Sequence, residues 1–185
     1  MKTIVILGGG VGGIVTANEL CKHLNPEHKI IVIEKNSVHS FAPSFLWLMT
    51  GTRKKEEITT GLFRLLNKRI EIVNEEVLSI KTGEKIVETS GRKISFDYLV
   101  VALGADIHPA NLPGLPREAH NYYSMDGAEK LYKSLQEFEK GKVALVIASL
   151  PYKCPAAPYE GALLISDFFE KKGKRNNIDI SIYTP

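Results

Sequence analysis

Thr3-Ile-Val-Ile-Leu7-Gly8-Gly9-Gly10-Val11-Gly12-Gly13-Ile14 opens the chain, and Lys29-Ile-Ile-Val-Ile-Glu34 follows a stretch with helical spacing. An apolar strand over residues 2–7 runs directly into glycines 8, 10 and 13, the GxGxxG spacing, and residues 11–24 repeat apolar side chains at helical intervals. The second β-branched run, 29–34, ends in an acid near the spacing expected for a ribose-binding carboxylate. Together these segments predict a strand, helix, strand unit. Its glycines permit a tight turn and close approach of backbone to a pyrophosphate. The helix N-terminus offers unpaired N–H groups, and Glu34 can accept from ribose hydroxyls. The motif alone does not separate NAD from FAD, and a glycine-rich turn with no ligand is the plainer alternative.

Further along, Phe41-Ala-Pro43-Ser-Phe45-Leu-Trp47 reads as a loop with more apolar bulk than a connector requires, and 56–67 reads as a helix. Short strands are expected at 70–73, 77–80, 86–88 and 94–96, with turns at Thr82-Gly83 and Ser90-Gly91. Such close spacing predicts an antiparallel excursion from a parallel sheet. Residues 98–103 are wholly apolar, the pattern of a strand buried on both faces, and stop at Gly104. A proline-rich linker is expected over 109–116, followed by a helix (125–140), a buried strand (142–148), a helix (159–172) and a strand (178–183). The fold class is therefore α/β: a Rossmann-like parallel sheet with an antiparallel excursion, plus the start of a second Rossmann-like domain. The expected division is a nucleotide-binding domain over 1–108, a linker over 109–124 and a partial second domain over 125–185.

Composition narrows the partners. At 185 residues, 44% hydrophobic and 24% charged, the chain reads as soluble and globular. The net charge is only +3, and basic runs such as Arg53-Lys54-Lys55 and Lys171-Lys172-Gly173-Lys174-Arg175 read as solvated loops and a helix end, so no nucleic-acid partner is expected. Two cysteines cannot form a disulfide framework, and Cys21, in register with Ile14, Ala17 and Leu24, reads as a packing residue. The first strand is interrupted too soon for a signal peptide, and no apolar run is long enough to cross a membrane. A cytoplasmic or peripheral membrane location is expected. His23, His28, His39, His108 and His120 show no metal-ligand spacing and read as structural or solvent-exposed; no metal site is expected. Asp106 reads as a solvated loop residue.

After the strand over 142–148, a second nucleotide fingerprint would be expected. The chain instead carries Ser149-Leu-Pro-Tyr-Lys-Cys154-Pro-Ala-Ala-Pro-Tyr-Glu160-Gly161. A thiol stands in place of a glycine loop. Lys153 and a helix start marked by Pro155, Pro158 and Glu160 both favour thiolate over thiol. Glu160 by itself reads as a capping or surface carboxylate of the first helical turn.

The N-terminal fingerprint, the excursion and Asp97-Tyr-Leu-Val-Val-Ala102-Leu103-Gly104-Ala105, in that order, resemble the two-dinucleotide-binding-domain flavoproteins. The resemblance implies that the fingerprint holds the ADP part of FAD, that Ala102, Leu103 and Gly104 pass close to the cofactor, and that backbone at Val77 meets adenine. The implied cofactor-binding set is completed by Gly8, Gly10, Val11, Gly12, Gly13, Glu34, Lys35 and Pro43. Pro151-Tyr-Lys-Cys154-Pro-Ala-Ala-Pro158-Tyr-Glu160-Gly161 is similar to the active-site segment of sulfide:quinone oxidoreductases and of the flavoprotein subunit of flavocytochrome c sulfide dehydrogenase. Phe41-Ala-Pro43-Ser-Phe-Leu-Trp47 and Gly51-Thr-Arg53 also resemble the sulfide:quinone oxidoreductases. The likeness covers the whole chain but only about the N-terminal half of a family member.

Carried over, Cys154 is the redox cysteine that takes sulfide sulfur, Glu160 a proton handler, FAD the electron acceptor, and a quinone or a haem subunit the oxidant of the flavin. The family's second redox cysteine, further FAD contacts and quinone-binding surface, with its peripheral membrane contact, are implied for a C-terminal half. The chain alone is accordingly expected to bind FAD weakly or not at all, not to oxidise sulfide, and to self-associate as a homo-oligomer. Ser124-Met125-Asp126-Gly127 departs from members that carry a further cysteine and a histidine there. One rival, a type II NADH dehydrogenase-like flavoenzyme, predicts a GxGxxG after 142–148, which is lacking. Another is a nucleotide-binding module or inactive fragment without turnover.

Overall fold

The computed structural model describes residues 1–107 and 119–185; His108 and the proline-rich linker expected over 109–116 lie outside the described residues. The chain forms two compact units. The first is Met1–Ser40 with Thr59–Asp106, the second Phe41–Ile58 with Ile107–Pro185. A single linear boundary near residue 108 therefore does not describe the chain, because 41–58 packs with the later residues.

In the first unit, β1 (Thr3–Leu7), β2 (Lys29–Ile33), β5 (Glu71–Val73) and β9 (Tyr98–Val101) form a parallel sheet in the order β5-β2-β1-β9. Helix α1 (Val11–His23) connects β1 to β2 and buries Gly13, Ala17 and Cys21, one side chain per helical turn. Strand alternation builds a core on each side of the sheet. Ile4, Ile6, Ile30 and Val32 pack with Ala17 and Cys21, confirming Cys21 as a packing residue. Val5, Leu7, Ile31 and Ile33 pack on the other side with Val73, Val87 and Ile94. Val87 and Ile94 come from the excursion, the antiparallel sheet β6 (Val77–Lys81), β7 (Ile86–Thr89) and β8 (Lys93–Ser95). The run at 70–73 is not part of that excursion: it joins the parallel sheet beside β2.

Two further expectations for this unit fail. The helix expected over 56–67 is only α3 (Lys55–Ile58). Thr59 and Thr60 are β-branched and Gly61 is a poor helix former, so the chain leaves the helix and forms β4 (Thr59–Gly61), antiparallel to β3 (Val38–Ser40). The apolar run after Asp97 is not buried on both faces. As β9 it ends at Val101, pairs with β1 alone among the described residues, and leaves Tyr98 and Val101 about 60% exposed (62% and 61%). Its start is clamped by Asp97, whose carboxylate accepts from Lys2 Nζ and the Thr3 N–H, both at 2.8 Å.

The second unit is a parallel pair, β10 (Gly141–Val146) and β11 (Ile178–Tyr183), joined by α5 (Ala157–Lys171) and packed with α4 (Met125–Glu137). This is a second strand, helix, strand unit, although β10 is only partly buried, with Val146 exposed. The segment expected to be an apolar loop is part of this core. A short helix, α2 (Phe45–Leu48), buries Phe45, Leu46 and Leu48, and Met49 follows, among Ala128, Leu135, Ile165, Phe168 and Phe169. Gly51 is required there: its φ is +71°, and a Cβ would lie 2.3 Å from the Tyr132 ring. No helix among the described residues is long and apolar enough to cross a membrane.

Phe169 is fully buried and meets Phe168 edge-on at 5.3 Å and Phe138 at 6.0 Å. Phe169→Ala removes both ring contacts and opens a cavity. The expected destabilisation is about 3–5 kcal/mol, read as a lower urea midpoint of the second unit.

Candidate nucleotide site and cysteine loop

The glycine loop is built by backbone approach. Gly8 has φ +101°, and a Cβ on it would lie 2.4 Å from the Ala102 carbonyl oxygen; one on Gly13 would lie 1.9 Å from the Gly8 carbonyl oxygen. The end of β1, the start of α1 and the segment after β9 can meet only without those side chains. Ala102 N–H closes the same corner by donating to Leu7 O at 2.8 Å. Gly10 is the N-cap of α1, with no side chain capping the helix and no acid in the first turn. A Cβ on Gly10 would meet nothing within 4 Å, and one on Gly12 would only touch Ala102 at 3.9 Å. Val11 is exposed beside them. An uncapped helix start facing open space is a cradle that fits a dinucleotide pyrophosphate, whose charge the N–H groups and helix dipole would stabilise.

Glu34 is turned toward this loop. Its Oε2 accepts from Gly9 N–H at 2.8 Å, while Oε1 accepts from Asn36 N–H at 2.9 Å and Asn36 Nδ2 at 3.1 Å. A carboxylate has lone pairs to spare beyond these donors, so the ribose role remains open to it. Ala102 and Leu103 line the Gly8 corner; Gly104, with φ +76°, is exposed past it. Lys35 pairs with Glu76 at 3.3 Å, and half-buried Val77 begins β6. Pro43 lies in a short turn over Ala42–Ser44 of the second unit. Asp106 is exposed, as expected.

The sequence reading overlooked Gly9 and His39. Gly9 fills a variable position of GxGxxG, yet a Cβ there would lie 2.9 Å from both Glu34 Cγ and Leu62 Cδ2. His39, read as structural or solvent-exposed, is half-buried with Nδ1 3.1 Å from the Gly9 carbonyl oxygen. No spacing rule signals that contact, because the β3–β4 pairing creates it.

Cys154 lies in the second unit. It is exposed and takes the left-handed conformation, φ +54°, just before α5. Its carbonyl accepts from the Ala157 N–H at 3.1 Å and the Tyr123 hydroxyl at 3.3 Å, and the Tyr152 hydroxyl holds the next carbonyl, Pro155 O, at 3.1 Å. The loop is thus held by its backbone while the residue carrying the thiol stays accessible. Tyr122 stacks on Tyr123 at 5.4 Å. Burial, then the nearby Cys154 and Tyr152, push the Tyr123 phenol up to about 12, and burial raises Tyr122 as well, so both remain hydroxyl donors through the neutral range. Glu160 lies exposed in the first turn of α5, where the helix dipole favours a carboxylate.

Residues 2–147 match the family described as pyridine nucleotide-disulphide oxidoreductase, and residues 128–181 match the central part of the sulfide dehydrogenase [flavocytochrome c] flavoprotein chain. The sulfide-quinone reductase of Aquifex aeolicus is 37% identical over 189 residues, covering 99% of this chain and 43% of that protein. Mouse mitochondrial sulfide:quinone oxidoreductase is 28% identical, covering 98% of this chain and 41% of its own length. The solved A. aeolicus sulfide:quinone oxidoreductase superposes with a TM-score of 0.89 at 31% identity, covering 100% of this chain and 43% of that one. The chain thus spans less than half the length of these relatives.

The loop geometry separates two substitutions. Gly13→Ala forces a methyl onto the Gly8 carbonyl and is expected to cost about 3 kcal/mol or more, seen in urea unfolding. Gly10→Ala, pointing into open space, is expected to leave unfolding within about 0.5 kcal/mol of the parent but to weaken FAD in a fluorescence titration. The match over residues 2–147 places the chain in the pyridine nucleotide-disulphide oxidoreductase family, a family of FAD-binding flavoproteins.

Proposed function

We propose that the chain carries the FAD-adenylate cradle and the sulfur-accepting thiol of a sulfide:quinone oxidoreductase. The observation that carries this reading is Cys154, an exposed thiol on a backbone-held turn after β10, within the stretch matching the sulfide dehydrogenase flavoprotein. The similarity to sulfide:quinone oxidoreductases over nearly the whole chain supports it. The absence of a glycine fingerprint after β10 argues against the NADH-linked reading.

In this reading the glycine corner, with Glu34, holds the ADP end of the cofactor by backbone N–H groups and a ribose-accepting carboxylate. FAD, when bound, supplies the two-electron acceptor, with a quinone taking the electrons onward. Cys154 would form the S–S bond: its thiol and hydrogen sulfide give a cysteine persulfide with loss of two protons and of two electrons, for which bound FAD would be the oxidant. Glu160 accepts one of the protons. Ala157 N–H and the Tyr123 hydroxyl keep the Cys154 backbone in place while the sulfur changes partners. Because quinones are lipid-soluble, this acceptor implies contact with a membrane surface.

In the FAD-loaded protein that includes the C-terminal half, anaerobic sulfide should bleach the flavin absorbance, and Cys154→Ala should reduce that bleaching to the background rate while leaving flavin content unchanged. Undiminished bleaching in the variant refutes the role of Cys154. Bleaching by NADH but not by sulfide would favour the NADH dehydrogenase reading instead.

A further inference from the structure

The geometry points to a positioning role for His39. We propose that its Nδ1–H holds the Gly9 carbonyl so that the peptide joining Gly9 to Gly10 presents its N–H, rather than its oxygen, to the dinucleotide phosphates. The proposal rests on placing the ADP end of FAD at the glycine loop and is independent of the sulfide reading.

Gly9 is gripped at both ends: Glu34 Oε2 takes its N–H at 2.8 Å, and His39 Nδ1 lies 3.1 Å from its carbonyl oxygen. A carbonyl oxygen only accepts, so Nδ1 carries the proton in this contact. In a trans peptide the C=O and the following N–H point in opposite directions. Fixing the Gly9 oxygen on the His39 side therefore turns the Gly10 N–H to the other side. Gly10 is exposed, and an added Cβ there would meet nothing within 4 Å.

Such a holder is needed because glycine resists neither orientation of the peptide plane. A flipped peptide would aim a carbonyl oxygen at a phosphate, replacing attraction with repulsion. A side chain at Gly9 would not solve this, since its Cβ would collide with Glu34 and Leu62 at 2.9 Å. The restraint has to come from outside the loop. The pairing of His39 with Thr60, between β3 and β4, places it where it can serve. Fixing the loop before binding removes an ordering cost that the ligand would otherwise meet.

ADP, the adenylate half of FAD, is the probe, titrated into the chain by NMR. His39→Leu removes the donor and should weaken ADP by roughly two- to tenfold, the worth of one net hydrogen bond. His39→Asn keeps an amide donor close to the place of Nδ1 and should stay within about twofold of the parent. Equal ADP affinity in the parent and in His39→Leu overturns the proposal. The ligand-free parent supplies a second reading that needs no variant: the imidazole 15N shifts of His39 should report the Nδ1–H tautomer when the ring is neutral. A dominant Nε2–H tautomer also overturns it, and this measurement decides if His39→Leu does not fold. Should the parent chain bind ADP too weakly to titrate, as expected of it alone, the imidazole 15N reading decides the proposal, whereas sulfide bleaching is judged separately on Cys154.

Discussion

Two stretches of backbone touch at the start of α1, and the first unit is organised around that contact. Gly13 lies against the Gly8 carbonyl, and Gly8 lies against the carbonyl of Ala102; any Cβ at either glycine would occupy the space of an oxygen atom. Because they touch, the helix begins at the mouth of the sheet, and its unpaired N–H groups face open space rather than a neighbouring side chain. The same corner ties β1 to the segment after β9 through Ala102 N–H and Leu7 O. The open helix start and the end of the strand are thus one piece of geometry.

Away from that corner, the first unit follows from the two-residue period of its strands. Residues 4–7 of β1 and 30–33 of β2 are all apolar because each face of the sheet is covered, one by α1 and the other by the excursion. The second unit has a different logic. Its core carries a series of ring contacts, Tyr132 to Phe168 to Phe169 to Phe138, and Phe45, Leu46, Leu48 and Met49 join it from far earlier in the chain. The apolar bulk of 41–49 is therefore largely a packing matter. Gly51, from a segment that resembles sulfide:quinone oxidoreductases, has a structural reason to be glycine in its closeness to Tyr132.

The chemistry proposed for the chain is divided between the units in the same way. The first contributes a site made of backbone, where side chains mostly must be absent; the second contributes a side chain on a restrained backbone. Cys154 adopts a conformation that costs a non-glycine residue on the order of 1–2 kcal/mol, and the hydrogen bonds to its carbonyl offset part of that cost. The two phenols beside it stay protonated because burial penalises their charged form, so the donor from Tyr123 persists across the pH range in which a thiol titrates.

By itself the sequence determined what is local in range. The GxGxxG turn, the α1 stripe through Ala17 and Cys21, the strand order up to Glu34 and the second strand, helix, strand unit all follow from spacings of a few residues, which backbone geometry converts directly into structure. The place of the thiol was legible for the same reason, since one contiguous segment carries it, whereas the cofactor class rested on the order of three segments and the family they resemble. Tertiary structure alone decided the rest. It turned an expected helix into β4 by offering Thr59 and Thr60 a partner strand, left β9 half-exposed at an edge, assigned 41–58 to the second core, and brought His39 onto Gly9. These outcomes depend on which distant segment arrives to supply a hydrogen bond or an apolar surface, and no local pattern encodes that.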